Sequence, residues 1–375
     1  FGQHPFQYKP SGFTGWSTNV IPDTFSGDNL NDPSKYFDVH TYSGTGDGTT
    51  NTFTGLNFQP DFLWFKRRNA SDISHVLYDV IRGTSNALRS NVGNAESAFG
   101  DAVVTPTSDG FTISGSNTGG LNNTGDSMVG WFWDAGTAAN SSVDSCSQTV
   151  NGQWTNPTAG FSITSWEGGG GAGQTVAHGL GAKPDFFLTK RIDGTQDWMT
   201  YHSDLGAENL ITLNNPYAAF DSSTAFNDTE PTSTLITYGS ESRVGNSDTH
   251  ITYAWTAIPG FSNFGLYKGG NAADNQAFVH TGFTPKCVLI KGTTLSDGSA
   301  GWQMYDSARA AAGNPIDEGL NANNDNAEYS GTARISFLAN GFKVRAPDSG
   351  YEPNQNETYI YCAWASSPFK VSRAR

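Results

Sequence analysis

Three times in this chain a proline is followed six residues later by a lysine across an apolar run: Pro60 to Lys66, Pro184 to Lys190 and Pro285 to Lys291. Other landmarks keep the same order around each anchor. Upstream lies an aromatic-x-Gly, at Tyr42 and Gly44, Trp166 and Gly168, and Tyr267 and Gly269. Downstream comes a tyrosine followed by a polar residue (Tyr78-Asp79, Tyr201-His202, Tyr305-Asp306), then a leucine and asparagine step at Leu88 to Asn91, Leu213-Asn214 and Leu320-Asn321. Each unit closes on an apolar strand ending in tryptophan, at Trp133, Trp255 and Trp364, and the proline-to-tryptophan distances are 73, 71 and 79 residues. A repeat of about 110 residues is too long for a solenoid or a propeller blade and marks whole folding units. Each unit is expected to bury a core of its own.

The boundaries follow from these landmarks. Residues 1–34, rich in Pro, Gly and Asn, read as a linker or strap from an upstream domain, and the opening at Phe1 rather than Met reads as a fragment or processed product. The units span 35–136, 160–259 and 260–375, with 137–159 as a polar linker between the first two. The almost direct junction at Gly260-Phe261 is expected to fix the second and third units in one orientation.

Within each unit strand signals are dense. Phe37 to Tyr42 and Phe161 to Trp166 alternate with period two, and the proline-lysine runs are continuously apolar, as in a strand covered on both faces. The best helical turns are Ala308 to Ala312 and Ser85 to Ser90. Gly at 44 of 375 residues, with charged residues at only 15%, fits a turn-rich β protein, and 10 Trp, 14 Tyr and 24 Phe give far more buriable surface than a disordered chain carries. The fold class is all-β, with three tandem antiparallel β-sandwiches.

A net charge of −14, with no basic run longer than Lys66-Arg67-Arg68, excludes phosphate-backbone binding and points to no nucleic-acid partner. No apolar stretch reaches the roughly 18 to 20 residues of a membrane-spanning helix. Cys287 and Cys362 lie within apolar strands as core residues; a disulfide between them requires neighbouring strands, which the sequence leaves open. No cofactor or metal is expected.

Motifs that carry chemistry elsewhere read here as structural. Gly168 to Thr175 has the spacing of a phosphate loop, but Gln174 stands in the lysine position and a strand, not a helix, follows. His178 and His280 sit in corresponding places before the proline-lysine strand, without metal-ligand spacing. Asp79-x-x-Arg82 and Asp306-x-x-Arg309 recur as local ion pairs holding a turn, read as exposed, while the second unit has His202 and Leu205. Glu96, Glu167, Glu208, Glu318 and Glu357 are the carboxylates available to a glycosidase pair, yet none recurs between units. The repeated aromatics Tyr42, Trp166 and Tyr267 could stack on sugar rings, whereas the closing tryptophans read as core. The polar tips are the better partner-contact loops: Asn321, Asn323, Asn324 and Asp325 in the third unit, Asp47 in the first and Glu167 in the second.

The chain resembles virion-associated proteins of marine bacteriophages, in which a segment similar to Phe1-Gly2-Gln3-His4-Pro5-Phe6-Gln7-Tyr8 ends a SPRY-like domain and sandwich repeats follow. The resemblance is carried by Pro60 to Lys66, by Asp79-Val80-Ile81-Arg82-Gly83, by Trp131 to Gly136 and by Ala177-His178-Gly179-Leu180-Gly181; His4 departs from the commoner arginine. It implies lectin-like sandwiches in a tail fibre, spike or other virion surface protein. It brings no catalytic residues. The expectation is a non-enzymatic rod of three sandwiches, a homo-oligomer with a trimer as one form. Its partners would be other virion proteins and a host surface glycan. The alternatives are a bacterial extracellular filament or surface-layer subunit, marked by open self-assembly, and a host-polysaccharide-degrading enzyme, marked by release of reducing ends.

Overall fold

A computed structural model describes residue 30 and residues 32–138, 145–245, 247–270, 276–294, 301–345 and 357–365. The fold is all-β and antiparallel, with two short 3-10 turns among the described residues. Each unit contributes one large sheet with the same central order: opening strand, closing strand, proline-lysine strand, tyrosine strand, leucine strand. The opening strands are Phe37–Ser43, Phe161–Glu167 and Ser262–Lys268. The closing strands, Ser127–Trp133, Thr249–Trp255 and Thr358–Ala365, lie between these and the proline-lysine strands Phe62–Arg67, Phe186–Arg191 and Pro285–Gly292. Outward come the tyrosine strands Val76–Asp79, Met199–His202 and Gln303–Asp306, then the leucine strands Gly83–Leu88, Asn209–Thr212 and Leu320–Asn321.

A small sheet covers the outer face of each large one. In the first unit Phe53, Phe111 and Ile113 of the small sheet pack on Phe65 and Phe132 of the large sheet, with Phe111 to Phe132 centroids 5.2 Å apart. The inner face is buried as well, which accounts for the uninterrupted apolar pattern of the proline-lysine strands: Phe62 to Phe65 are all buried. The aromatic-x-Gly glycines are required by close approach, since a Cβ on Gly44 would collide with the carbonyl oxygen of Asn123, and one on Gly168 with that of Gly245.

The inner faces of all three sheets meet in one core, and this corrects the rod. Trp133, Trp255 and Trp364 touch one another at a common axis, with centroids 6.0, 5.4 and 6.1 Å apart and planes crossed by 66°, 77° and 68°. Edge-to-face packing of this kind favours the ring quadrupoles. None of the three indole Nε1 atoms has an oxygen or nitrogen acceptor; in crossed packing the neighbouring π face is available to an N–H donor. Beside the trio lies a cavity of about 10 Å³ lined by residues including Trp64, Phe186, Leu188, Cys287, Leu289 and Met304. That is at the lower limit for a single water, and apolar walls keep such a space dry.

Three local readings also change. The linker 137–159 contains a strand, Val150–Asn156, that pairs with Phe161–Glu167 and extends the second large sheet. Its polar composition suits an edge strand, and it buries the opening strand on both faces, so the alternation expected there is lost. Ser85 to Ser90 is not helical, because Gly83–Leu88 is a strand, and the segment after Tyr305 makes turns held by Asp306. Of the strap 1–34, only residue 30 and residues 32–34 are described, and Leu30 is buried in the shared core.

Candidate functional site

The repeated polar residues are spent at the three junctions between units, which close in a cycle. Three residues before each repeated tyrosine stands a ring nitrogen that reaches a carbonyl of another unit's leucine strand or the residue that follows it. Trp198 Nε1 donates to Arg89 O (2.9 Å), Trp302 Nε1 to Thr212 O (2.9 Å), and His75 Nε2 pairs with Asn321 O (3.1 Å). The second unit thus holds the first, the third holds the second, and the first holds the third. Sequence reasoning missed this trio because a histidine stands where the other copies have tryptophan; the signal available was His/Trp-x-x-Tyr.

The residue after the tyrosine lies at the same junctions. Asp79 accepts from Tyr253 Oη (2.7 Å), and Asp306 from Trp131 Nε1 (3.2 Å); His202 Nε2 pairs with Tyr361 O (3.2 Å). The Asp-x-x-Arg pairs are therefore not the exposed pairs expected. Asp79 and Arg82 are 2.5 Å apart with side chains 0% and 2% exposed, and Asp306 and Arg309 are 2.7 Å apart with both at 0%. Each arginine also meets a glutamate, Glu96 at 3.1 Å or Glu328 at 2.9 Å, and Arg309 lies 5.5 Å from the centroid of Trp131.

Register shows what the second unit does with this triad. Glu96 N, Ala219 N and Glu328 N donate to Ile192 O, Thr293 O and Arg68 O, each two residues beyond a repeated lysine. Asp-Arg-Glu in the first and third units is thus His202-Leu205-Ala219 in the second. A buried ion triad and an uncharged set of suitable shape are alternative solutions, provided that all members change together.

The repeated lysines are buried too. Lys66 Nζ donates to Arg67 O (2.8 Å) and Asp325 O (3.2 Å), Lys291 Nζ to Gly292 O (3.0 Å) and Pro216 O (2.8 Å), and Lys190 to Arg191 O and Gly194 O. Burial pushes their pKa down to about 8 for Lys66 and Lys190 and about 7 for Lys291. The residue after the repeated proline is handled differently in each copy. Asp61 and Asp134 influence each other's charge, and burial raises the pKa of both; Asp185 accepts from Ala257 N (2.6 Å); Lys286 pairs with Asp38 (2.9 Å). Asp61 also accepts from Ala135 N (2.8 Å), and Asp134 from Gly136 N (2.6 Å) and Asn156 Nδ2 (3.1 Å).

The contact loops expected from the sequence are not brought together, and those of the third unit are not free tips. Asn321 is 6% exposed and supplies the carbonyl met by His75. Asn323 Oδ1 accepts from Trp302 N (2.7 Å), Asn324 Oδ1 from Asn326 N (3.1 Å), and Asp325 O from Lys66. Asp47 is exposed but its carboxylate accepts from Thr118 N (3.0 Å) and Oγ1 (2.6 Å). Glu167 is exposed at the end of its strand. The aromatic-x-Gly rings are not a sugar platform. Trp166 is 0% exposed and stacked on Tyr238 and His250, Tyr267 is 8% exposed and stacked on Tyr359, and Tyr42 packs edge-on against Phe65 and Phe111.

Of the proposed glycosidase acids, Glu96 pairs with Arg82, Glu318 accepts from Ala311 N (3.0 Å), and Glu357 accepts from Thr294. In the glycine-rich loop, Gln174 reaches Gly169 N, Gly239 O and Val244 O and fills the space, and the strand Gln174–Ala177 follows as the sequence implies. Cys287 and Cys362 are free thiols on adjacent strands, paired in register with Trp364 and Leu289 and not with each other. No group of three or more His, Cys, Asp or Glu suited to a metal occurs among the described residues.

No curated protein and no solved structure matches the chain. One family does, over residues 32–368, a single span that takes in all three units: the chain belongs to the family described as a domain of unknown function (DUF7483).

Proposed function

We propose that the chain is a non-enzymatic structural module of a bacteriophage virion, a surface or tail component that presents loops toward a host. The observation that carries the reading is where the chain puts its repeated chemical groups. Asp79, Arg82, His75, Trp131 and Lys66 bond across unit junctions, as do Trp198, His202, Lys291, Trp302 and Asp306, while Lys190 and Arg309 are bonded within their own units; in this reading they serve cohesion and not turnover. Three sheets that share one core suit an attachment scaffold. The phage assignment itself rests on the resemblance of the motifs from Pro60 to Lys66 and from Trp131 to Gly136.

Immunogold electron microscopy of native particles with an antibody against this chain tests the reading. Label on tail tips or fibres is the expected result, and label on the capsid would make the protein a decoration. Label on cell-derived filaments, with none on particles, would overturn it.

A further inference from the structure

The three copies of the hairpin after the leucine strand have one length and one register, so they act as controls for one another. The positions eight residues beyond Arg89, Thr212 and Asn321 are Ser97, Phe220 and Tyr329; the positions five residues beyond are Asn94, Tyr217 and Asn326. In two copies the first of these places meets a guanidinium from the same chain. Arg89 Nη1 donates to Ser97 Oγ (2.9 Å), and Arg334 lies 5.4 Å from the centroid of Tyr329. In the second unit no guanidinium of the described residues meets it. Phe220 is 45% exposed and Tyr217, where both other copies carry asparagine, is 61% exposed.

Among the described residues the surroundings supply no cation for these rings. Residues 192–242 contain eight Asp or Glu and neither Lys nor Arg. Arg243 is held by Glu241 (2.9 Å) and Asp197 (3.5 Å), and Lys183 by Glu230 (2.6 Å). Lys291, facing the hairpin from the third unit, is buried with its Nζ on Pro216 O and Gly292 O. Asp221 follows Phe220 directly, and Glu208 O accepts from Ser222 N across the hairpin.

We propose that the Tyr217 to Phe220 hairpin is a docking site for a cationic side chain, an arginine or lysine presented by a partner polypeptide. Two exposed aromatic rings offer negative π faces, the acidic segment gives complementary charge, and the sister hairpins place guanidinium groups at the equivalent position. The site does not depend on where the protein resides.

The test uses the full chain and a fluorescein-labelled glycine-serine peptide carrying three arginines, read by fluorescence anisotropy at low and physiological salt. A matched peptide with citrulline in place of arginine is neutral and isosteric. The expected result is saturable binding that weakens at least tenfold with citrulline and at least fivefold in Tyr217→Asn/Phe220→Ser, which carries residues of the first unit in the same register. Phe278→Ala, at a 49% exposed ring on the third unit, should bind as the parent does. Equal binding of the arginine peptide by the parent and the double variant, with both folded by circular dichroism, would overturn the proposal. So would binding that ignores citrulline, or loss in the double variant of binding to a neutral oligosaccharide alone.

Discussion

Arg309→Leu gives the sharpest test of how the junctions are held. In the native protein Arg309 is 0% exposed; its Nε donates to Asp306 (2.7 Å), Nη1 to Glu328 (2.9 Å) and Nη2 to Met304 O (2.7 Å). Leucine fills part of the volume but leaves the Asp306 carboxylate, also 0% exposed, without its counter-charge. Breaking a buried pair from one side costs about 3 to 5 kcal/mol. The triple change Asp306→His/Arg309→Leu/Glu328→Ala installs the second unit's set and removes the buried Asp306 charge; it also frees Arg68, paired with Glu328 at 2.8 Å, but the Arg68 side chain is 21% exposed and water takes up its charge at little cost. It still deprives Trp131 Nε1 of its acceptor, a loss of about 1 to 3 kcal/mol. The triple variant should therefore be more stable than the single one by about 2 kcal/mol, measured by urea denaturation at pH 7. The single variant also carries a pH signature. A buried carboxylate that has lost its counter-charge favours protonation in the folded state, so stability falls as pH rises through the carboxylate range. Destabilisation by Arg309→Leu should then be smallest near pH 4 and grow toward neutrality. A single variant as stable as the triple, or one whose deficit ignores pH, would refute the reasoning.

Trp255→Ala should cost about 3 to 5 kcal/mol, and because the three tryptophans share one core, calorimetry should show one unfolding transition for all three units and not three. The depressed lysines mean that the unfolded chain binds more protons than the folded one from about pH 7 or 8 to 10.5. Stability should thus rise over that window by up to about 1.4 kcal/mol per pH unit for each lysine, and Lys66→Met/Lys190→Met/Lys291→Met should flatten the slope. The raised Asp61 and Asp134 pair acts with the opposite sign, so Asp61→Asn should remove a decline in stability measured between pH 5 and 7. Cys287 and Cys362, whose thiol pKa values are pushed well up by burial, should resist a thiol-reactive disulfide reagent until urea unfolds the chain.

The repeat, the all-β class and the double burial of the proline-lysine strands were legible because they depend on side-chain pattern. The cyclic arrangement was not, because its hydrogen bonds end on the carbonyl oxygens of Arg89, Thr212 and Asn321, which any residue supplies. For the same reason Asn321 to Asp325 looked like a solvent-facing tip: amide and carboxylate side chains gave it that character, while its backbone was docked on His75 and Lys66. The burial of Asp79 and Arg82 did have a signature, the joint absence of Asp, Arg and Glu at His202, Leu205 and Ala219. It requires a register that landmark spacing alone misplaces, since Ile211, and not Leu213, is the counterpart of Leu88 and Leu320, each pairing with the residue before the repeated tyrosine.

Covalent linkage of the three units frees each copy to vary. In a ring of identical subunits any substitution appears three times, so a bare aromatic hairpin would be displayed at three positions and a multivalent ligand could engage it with avidity. Here Tyr217 and Phe220 occur once per ring, against Asn94 with Ser97 and Asn326 with Tyr329 at the other two places. A ligand for that hairpin meets a valency of one, with single-site occupancy and one orientation relative to the ring. Any gain in apparent affinity must come from assembling several rings, whose spacing, and not the threefold axis, would set the geometry of engagement.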